Sequence, residues 1–178
     1  MIDREGNLLG MPGSYRDAAL DEENMNDVLA SLVPEEQDRD KAVKAGEKYA
    51  FEQTGIASLA YNTLYKLCYL NKAMPEQMAA ADKLLFMPNL IEYLFSGVVH
   101  SEYSIASTSQ LLDMKEKKWA SELIRKAGID PKLLAPLDYA GKDLGPLRPE
   151  IAKEVGQENL HILSVSGHDT CLLYTSDA

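Results

Sequence analysis

The spacing of apolar residues predicts helices along most of the chain. Residues 21–32 are predicted to form a helix with acidic residues in its first turn. Pro34 begins a second predicted helix, which runs towards Phe51 and ends near Gly55. Further helices are predicted by the same spacing, and they begin near Asn62, Pro75, Asn89 and Lys117, with short helical pieces near Pro131 and Arg148.

Extended segments are predicted at both ends of the chain. A turn at Asp3–Gly6 separates two short strands, and near the other end Ile162, Leu163 and Val165 alternate with small residues. The second pattern predicts a short buried strand that opens onto a turn permitted by Gly167. Because predicted strands at both ends of the chain flank a series of predicted helices, we expect the α/β class, with a large helical insertion between two parts of one sheet.

Composition and charge narrow the class of partners. Hydrophobic residues make up 46% of the chain and charged residues 26%, which is ordinary for a globular protein. The formal net charge of -10, with no cluster of Lys or Arg, argues against nucleic acid and anionic membrane surfaces as partners. Cys68 and Cys171 have no metal-ligand spacing and favour a cytoplasmic location, and no apolar run reaches the roughly 18 residues of a membrane span. The sequence does not indicate an oligomeric state.

The polar run after the last predicted strand is the main candidate for chemistry. His168, Asp169 and Thr170 directly follow Gly167, and ligands of α/β folds bind beyond the carboxyl ends of strands. An ionised Asp169 carboxylate could orient a hydroxyl nucleophile and take its proton late in phosphoryl transfer. His168 and Thr170 could donate hydrogen bonds to the hydroxyls of a polyol. The alternative interpretation of Asp169 is a turn former or a helix N-cap.

Two other polar clusters lie earlier in the chain. Tyr15, Arg16 and Asp17 follow a glycine-bounded loop, where an aromatic face beside an Arg–Asp pair suits a sugar. The alternative is a surface ion pair that contributes little energy. Tyr61 is a candidate ligand contact together with Asn62, or the two residues simply begin a helix and cap it.

Several common site types are absent from the sequence. It has no G-x-x-x-x-G-K-[ST] or G-x-G-x-x-G phosphate loop and no G-x-S-x-G nucleophile elbow. The three histidines lack the i, i+4 pattern of a helical metal site, so we assign no metal ligands. We interpret His100 as a surface loop residue and His161 as the first residue of a strand. The hydroxyl side chains of residues 104–109 could bind phosphate or satisfy their own backbone.

Seven segments together resemble the FGGY family of carbohydrate kinases. In chain order they are GNLLGMPGSYRD, FEQTGI, YNTLYKL, LLFMPNLIEYLFSG, EYSIASTSQLLD, WASELI with the following AGI, and SVSGHDT. The combination of YRD, NTLYKL, MP, EY-x-x-AST-x-Q and GHDT is most similar to the branch of the family that acts on L-rhamnulose, rather than to the glycerol or xylulose kinases.

The resemblance implies an activity, a fold and a set of site residues. The activity is ATP- and Mg²⁺-dependent phosphorylation of a small ketose, L-rhamnulose to L-rhamnulose 1-phosphate, with xylulose, fuculose and glycerol as alternative substrates. The fold is an actin-like, ribonuclease-H-like α/β architecture. Asp169 matches the general base of the family, and the positions that match its sugar contacts are His168, Thr170, Tyr15 with the following Arg16 and Asp17, and Tyr61.

The sequence also departs from the family pattern. Ala19 stands where the family's YRD-x-R has its Arg. We expect residues 1–170 to be part of the N-terminal, sugar-binding domain without its first strands and phosphate loop, and residues 171–178 to be a non-native tail. Such a chain should be inactive alone, because the adenine-binding domain is also missing. The alternative from another class is a non-catalytic helical interaction module in which GHDT is only a turn.

Overall fold

The computed structural model describes residues 1–14, 17 and 20–175 and has the mixed α/β class that the pattern predicts. The helices are α1 (Glu22–Ser31), α2 (Arg39–Thr54), α3 (Thr63–Ala73), α4 (Pro75–Ala80), α5 (Met87–Ser96), α6 (Tyr103–Ala106), α7 (Ser121–Lys126), α8 (Pro149–Val155) and α9 (Asp169–Thr175), with a 3₁₀ turn at Pro131–Leu133. The strands are β1 (Ser101–Glu102), β2 (Leu112–Asp113), β3 (Lys118–Trp119), β4 (Leu137–Asp138), β5 (Asp143–Pro146) and β6 (His161–Leu163). No helix in these ranges is long and apolar enough to cross a membrane.

The chain divides into two compact units. The first comprises Met1–Asp82 with Ser107–Leu133, and the second comprises Lys83–Ala106 with Leu134–Ala178. Helices α1 to α4 therefore belong to the first unit, whereas α5, β6 and α9 belong to the second. The candidate residues of the GHDT segment lie in the second unit.

The first unit is built on closely packed helices. Helix α1 packs against α2 at Gly46, where an added Cβ would lie 1.9 Å from the main-chain oxygen of Leu29. Only glycine fits at such a close approach of two backbones. The spacing predicts an apolar face of α3 formed by Leu64, Leu67, Cys68 and Tyr61. The first three are buried, whereas Tyr61 precedes the helix and is 53% exposed. Burial raises the pKa of the Cys68 thiol to about 11, so this cysteine is an unreactive core residue.

Most helix boundaries follow the sequence signals. Asp21 caps α1 by accepting a hydrogen bond of 2.9 Å from the amide of Asn24, and Gly55 ends α2 in the left-handed conformation at φ 71°. The predicted start of α2 at Pro34 is wrong. The helix begins at Arg39, because the side chain of Asp38 caps the amides of residues 40 and 41.

The strands are short and pair in twos. In the second unit β1 pairs in parallel with β4, and β5 pairs antiparallel with β6. In the first unit β2 pairs with β3, which places Trp119 opposite Leu112. The prediction that Trp119 lies in a helix is therefore wrong. Its backbone is used by the strand pair, and α7 begins two residues later at Ser121.

The prediction of a buried strand before Gly167 is also wrong in one respect. The strand exists and begins at His161, as predicted, but Leu163 is 56% exposed and Ile162 is only partly buried. Val165, two residues after the strand, is 54% exposed. Ser164 is the buried residue between Leu163 and Val165. Alternate residues of an extended segment face opposite sides, and here the less exposed side carries Ile162 and Ser164.

Candidate functional site

Asp169 lies at the junction between β6 and α9. It is the first residue of α9, and its side chain is 91% exposed. Its Oδ1 atom accepts a hydrogen bond of 2.8 Å from the amide of Thr170, whose Oγ1 lies 3.4 Å from the same oxygen. The Nε2 atom of His168 lies 3.6 Å from that oxygen. The structure therefore brings together the three predicted polar side chains after the strand.

The main chain that leads to Asp169 is held by side chains rather than by a neighbouring strand. The amide of Val165 donates a hydrogen bond of 3.1 Å to Glu92, and the amide of Gly167 donates one of 2.9 Å to Glu102. The amide of His168 donates a third bond, of 3.2 Å, to Oγ of Ser104. Three of the four amides from residue 165 to residue 168 are thus fixed by the side chains of α5, β1 and α6.

Glu92 is a buried carboxylate of α5 that remains ionised. Besides the Val165 amide, it contacts Nδ2 of Asn89 at 3.0 Å and Nε2 of His100 at 2.8 Å. Burial raises the pKa of Glu92, but the hydrogen bonds from His100, Asn89 and the Val165 amide outweigh that effect and hold the pKa below its ordinary value. The carboxylate is therefore a fixed negative charge in the interior of the second unit.

Glu102 is a second buried carboxylate, and it connects two segments. Its Oε1 accepts from the amide of Ser104 at 2.9 Å and its Oε2 from the amide of Ile105 at 3.2 Å, so it caps the start of α6. Oε2 also accepts the Ser104 hydroxyl and the Gly167 amide. The main-chain amide of Glu102 donates to Asn89 at 3.2 Å, and Asn89 thereby links the Glu92 carboxylate to the main chain of Glu102.

Gly167 is favoured by close packing rather than by a turn. An added Cβ at this position would lie 3.1 Å from side-chain atoms of both Ile105 and Pro88. Its φ angle is not in the left-handed region, so the turn that we expected it to permit is not the reason for glycine here. The lack of a side chain lets the main chain approach α5 and α6 closely enough to bond with Glu102.

His100 is not the surface residue that we expected. Its side chain is 1% exposed, and its ring contacts Glu92 in the interior. The carboxylate satisfies Nε2 of the ring, whereas Nδ1 is buried without a hydrogen-bond partner among the described residues. His100 therefore supports the segment before Asp169 through Glu92.

The remaining predicted site residues lie in the first unit or outside the described residues. Tyr15 and Arg16 lie outside the described residues. Asp17 is exposed, and Tyr61 is half-exposed just before α3. Asn62 is the N-cap residue of α3 but makes no capping bond with its side chain, which instead accepts from the Leu59 amide and donates to the carbonyl of residue 108, both at 2.7 Å. Asn62 therefore organises the beginning of the helix.

Sequence reasoning missed Asn89, Glu92 and Glu102 as members of the site. A signal for the first two was present, because Asn89 and Glu92 are polar residues at i, i+3 on the same side of α5 as Leu90 and Tyr93, which are buried. A polar pair on an otherwise apolar helix face indicates a buried polar network. No comparable periodic signal exists for Glu102, because it lies in a strand of two residues.

The described residues do not fit a magnesium site of their own. No group of three His, Cys, Asp or Glu side chains within residues 1–14, 17 and 20–175 is arranged to hold a metal ion. Asp169 is the exposed carboxylate of the site, and its neighbours are a histidine and a threonine, which are poor ligands for Mg²⁺. The chemistry available from these side chains is hydrogen bonding and proton transfer with an uncharged hydroxyl compound.

Comparisons with known sequences show the family to which this chain is related. The N-terminal domain of the FGGY family of carbohydrate kinases matches residues 35–173. The rhamnulokinase of Bacteroides thetaiotaomicron is 29% identical over 170 residues, which make up 96% of this chain and 32% of that protein. The rhamnulokinase of Enterococcus faecalis is 32% identical over 170 residues, again 96% of this chain and 31% of that protein. The chain thus spans about a third of the length of these relatives.

A solved structure supports the fold. The xylulose kinase of Rhodospirillum rubrum aligns with a TM-score of 0.74 at 17% identity, over 93% of this chain and 32% of that protein. The fold is accordingly part of the actin-like α/β architecture of the sugar kinases. The family match extends over more than half of the residues, and the chain belongs to the FGGY family of carbohydrate kinases, whose members are phosphotransferases.

Proposed function

We propose that the complete protein carrying this sequence is a cytoplasmic ATP-dependent kinase that converts L-rhamnulose to L-rhamnulose 1-phosphate. The observation that carries the proposal is the exposed Asp169 carboxylate at the end of β6, on a main chain fixed by buried carboxylates. The choice of L-rhamnulose follows the rhamnulokinases, which are 29% and 32% identical to this chain. Xylulose, fuculose and glycerol are the alternative acceptors.

In this proposal Asp169 acts on the acceptor hydroxyl of the sugar. An ionised carboxylate orients the hydroxyl towards the phosphorus atom and takes its proton as the new oxygen–phosphorus bond forms. His168 and Thr170 flank the carboxylate and bind neighbouring hydroxyls of the sugar. These two side chains fix the position of the sugar, which is the main contribution a protein makes to phosphoryl transfer besides electrostatic stabilisation.

The other proposed contacts come from the first unit and from outside the chain. Tyr15, Arg16, Asp17 and Tyr61 contribute to sugar binding by their correspondence with the family. ATP and Mg²⁺ bind to the part of the relatives' length that this chain does not span. The chain itself supplies sugar binding and the proton acceptor.

The test is the acceptor profile of the complete protein and of its Asp169→Asn variant. We expect kcat/KM to be highest for L-rhamnulose among L-rhamnulose, xylulose, fuculose, gluconate and glycerol, in an ADP-coupled assay. Asp169→Asn should lower kcat by about 10³-fold, because the amide cannot accept the proton, and leave sugar binding within about threefold. Sugar binding is measured by calorimetry.

Asp130→Asn is the matched control, because Asp130 is an exposed Asp whose hydrogen bonds are to Lys132. It should keep the wild-type kcat. A near-normal kcat for Asp169→Asn would refute the role of Asp169. Preference for another acceptor would refute L-rhamnulose as the substrate while retaining a sugar kinase, and no ATP-dependent phosphorylation of any acceptor would favour the interaction module.

A further inference from the structure

The segment that presents Asp169 has little apolar packing of its own. The apolar residues next to it, Leu163 and Val165, are both more than half exposed, and β6 ends at Leu163. Within the described residues, the strand that pairs with β6 is β5, and its last contact with the segment is at Ser164, whose amide donates to the carbonyl of Lys142 at 2.8 Å. Beyond Ser164, something other than strand pairing must fix the main chain.

After Ser164, two buried carboxylates bind the main-chain amides in place of a neighbouring strand. Glu92 binds the Val165 amide and Glu102 binds the Gly167 amide, while Ser104, itself bonded to Glu102, binds the His168 amide. The three bonds have lengths of 2.9 to 3.2 Å and end at the residue before Asp169. They fix the direction in which the main chain reaches the first residue of α9.

Neither carboxylate is required for burial of apolar surface. Two ionisable groups in an interior are often no more stabilising than apolar side chains of similar volume, and buried polar groups can instead select one arrangement. Five donors other than the Val165 and Gly167 amides bind the two carboxylates, two on Glu92 and three on Glu102. Both carboxylates are therefore held by bonds that do not involve the segment. A rigid acceptor is what accurate placement of a proton-accepting group requires.

We propose that Glu92 and Glu102 are positioning residues that hold residues 165–168, and through them the Asp169 carboxylate, in the geometry for proton transfer. The inference rests on the proposed function, because it assigns these side chains a part in the same reaction. Neither of them touches the sugar. They act through the main chain that carries Asp169.

The experiment is a double-mutant cycle in the complete protein. Glu102→Gln keeps the size of the side chain but replaces one acceptor oxygen by an amide group that repels the donors around it. We expect kcat with L-rhamnulose to fall by about 10- to 100-fold and the KM for the sugar to change by less than about threefold. In the Asp169→Asn background the same change should alter kcat by less than about twofold, because the residue acts only through Asp169.

A second variant separates positioning from stability. Ser104→Ala removes the acceptor of the His168 amide but leaves both carboxylates, and it should lower kcat several-fold with an unchanged KM. Glu150→Gln is the control, since Glu150 is an exposed residue of α8 in the same unit, and it should keep the wild-type kcat. If Glu102→Gln fails to fold, Ser104→Ala decides the question in the same cycle.

The outcomes distinguish the two proposals. A normal kcat for Asp169→Asn would overturn the proposed function itself. Loss of activity in Asp169→Asn, together with a folded Glu102→Gln and Ser104→Ala that both keep kcat within about twofold, would overturn the positioning role alone. Equal fold-losses in the wild-type and Asp169→Asn backgrounds would also overturn it, because they indicate an effect independent of Asp169.

Discussion

At the residue scale, the second unit contains polar side chains in positions where apolar residues are expected. Glu92 and His100 are in contact at 2.8 Å, and both are nearly inaccessible to solvent. Glu92 accepts three hydrogen bonds, which stabilise its ionised form despite its burial. The pKa of this group therefore connects the stability of the unit to pH.

The direction of the pH dependence follows from the sign of the shift. The folded-state pKa of Glu92 lies below its ordinary value of 4.5, so the ionised carboxylate stabilises the folded chain above about pH 4.5. That contribution is lost as the pH falls through the folded-state pKa. At pH 7 we expect Glu92→Gln to lower the free energy of unfolding by about 2 kcal/mol, the range for hydrogen bonds to charged groups.

The measurement is urea unfolding of the 178-residue chain and its variants between pH 7 and pH 3. The difference between wild type and Glu92→Gln should be constant from pH 7 to about pH 5.5 and should shrink below pH 4.5. The exposed control Glu150→Gln should show no such trend. A wild-type advantage that grows on acidification would contradict an ionised Glu92.

The position of Asp169 could be predicted from the sequence, but its support could not. The alternation of residues 161–165 followed by glycine and three polar residues is local, and local patterns specify strand ends. The bonds of Glu92 and Glu102 to the segment join residues 73 and 65 positions apart. Such contacts leave no periodic signal, because they depend on how distant elements pack. The burial of His100 was missed for the same reason.

At the element scale, α5 has two different faces. Asn89, Leu90, Glu92 and Tyr93 are buried, whereas Met87, Ile91, Leu94 and Phe95 are between about two-fifths and one-half exposed. The exposed apolar residues recur at three- and four-residue spacing and form a stripe along the helix. The inner face carries the polar network, and the outer face is apolar.

This division predicts that the same substitution at two adjacent residues changes the free energy of unfolding by very different amounts. Leu90→Ser should lower the free energy of unfolding by about 3 kcal/mol, because it removes a buried side chain and buries a hydroxyl. Ile91→Ser should change it by less than about 0.5 kcal/mol, because this side chain is already half in water. Urea unfolding of the two variants checks the pair. A similar large loss for both would contradict the orientation of α5.

Helix ends were predicted better than strands and irregular segments. Asp21 and Gly55 lie at the helix ends that the sequence predicts, because a cap is a property of a few consecutive residues. Trp119 was assigned to a helix by its spacing from Leu123, yet pairing with β2 determines its conformation. The exposed face of β6 could not be predicted from the sequence either. The alternation of side chains along a strand separates two faces but does not indicate which of them is buried.

At the scale of the whole molecule, the residues predicted to bind sugar are found in each of the two units. Asp17 and Tyr61 belong to the first unit, and His168, Asp169 and Thr170 belong to the second. The relatives whose sequences match are about three times as long as this chain. Under the proposed function, the chain carries only part of the residues that the complete protein would use, so the chain can be tested by itself.

The 178-residue chain should bind a ketose weakly and should not transfer phosphate. Catalysis of phosphoryl transfer depends on holding the phosphates and neutralising their charge, and the sequence has no phosphate-binding glycine loop. The formal net charge of -10 also disfavours binding of a polyphosphate without local cationic groups. We expect no phosphorylated sugar above background when the purified chain is incubated with labelled ATP, Mg²⁺ and L-rhamnulose.

The Asp169→Asn form of the same chain is the control for that experiment, because a contaminating kinase would give equal product with both forms. Product formed by the wild-type chain and lost in Asp169→Asn would contradict the prediction and would show that this third of the relatives' length contains a working phosphate site. Equal traces in both forms would agree with it. Asp169, in either case, is the residue whose substitution separates the activity of this chain from that of any other kinase in the preparation.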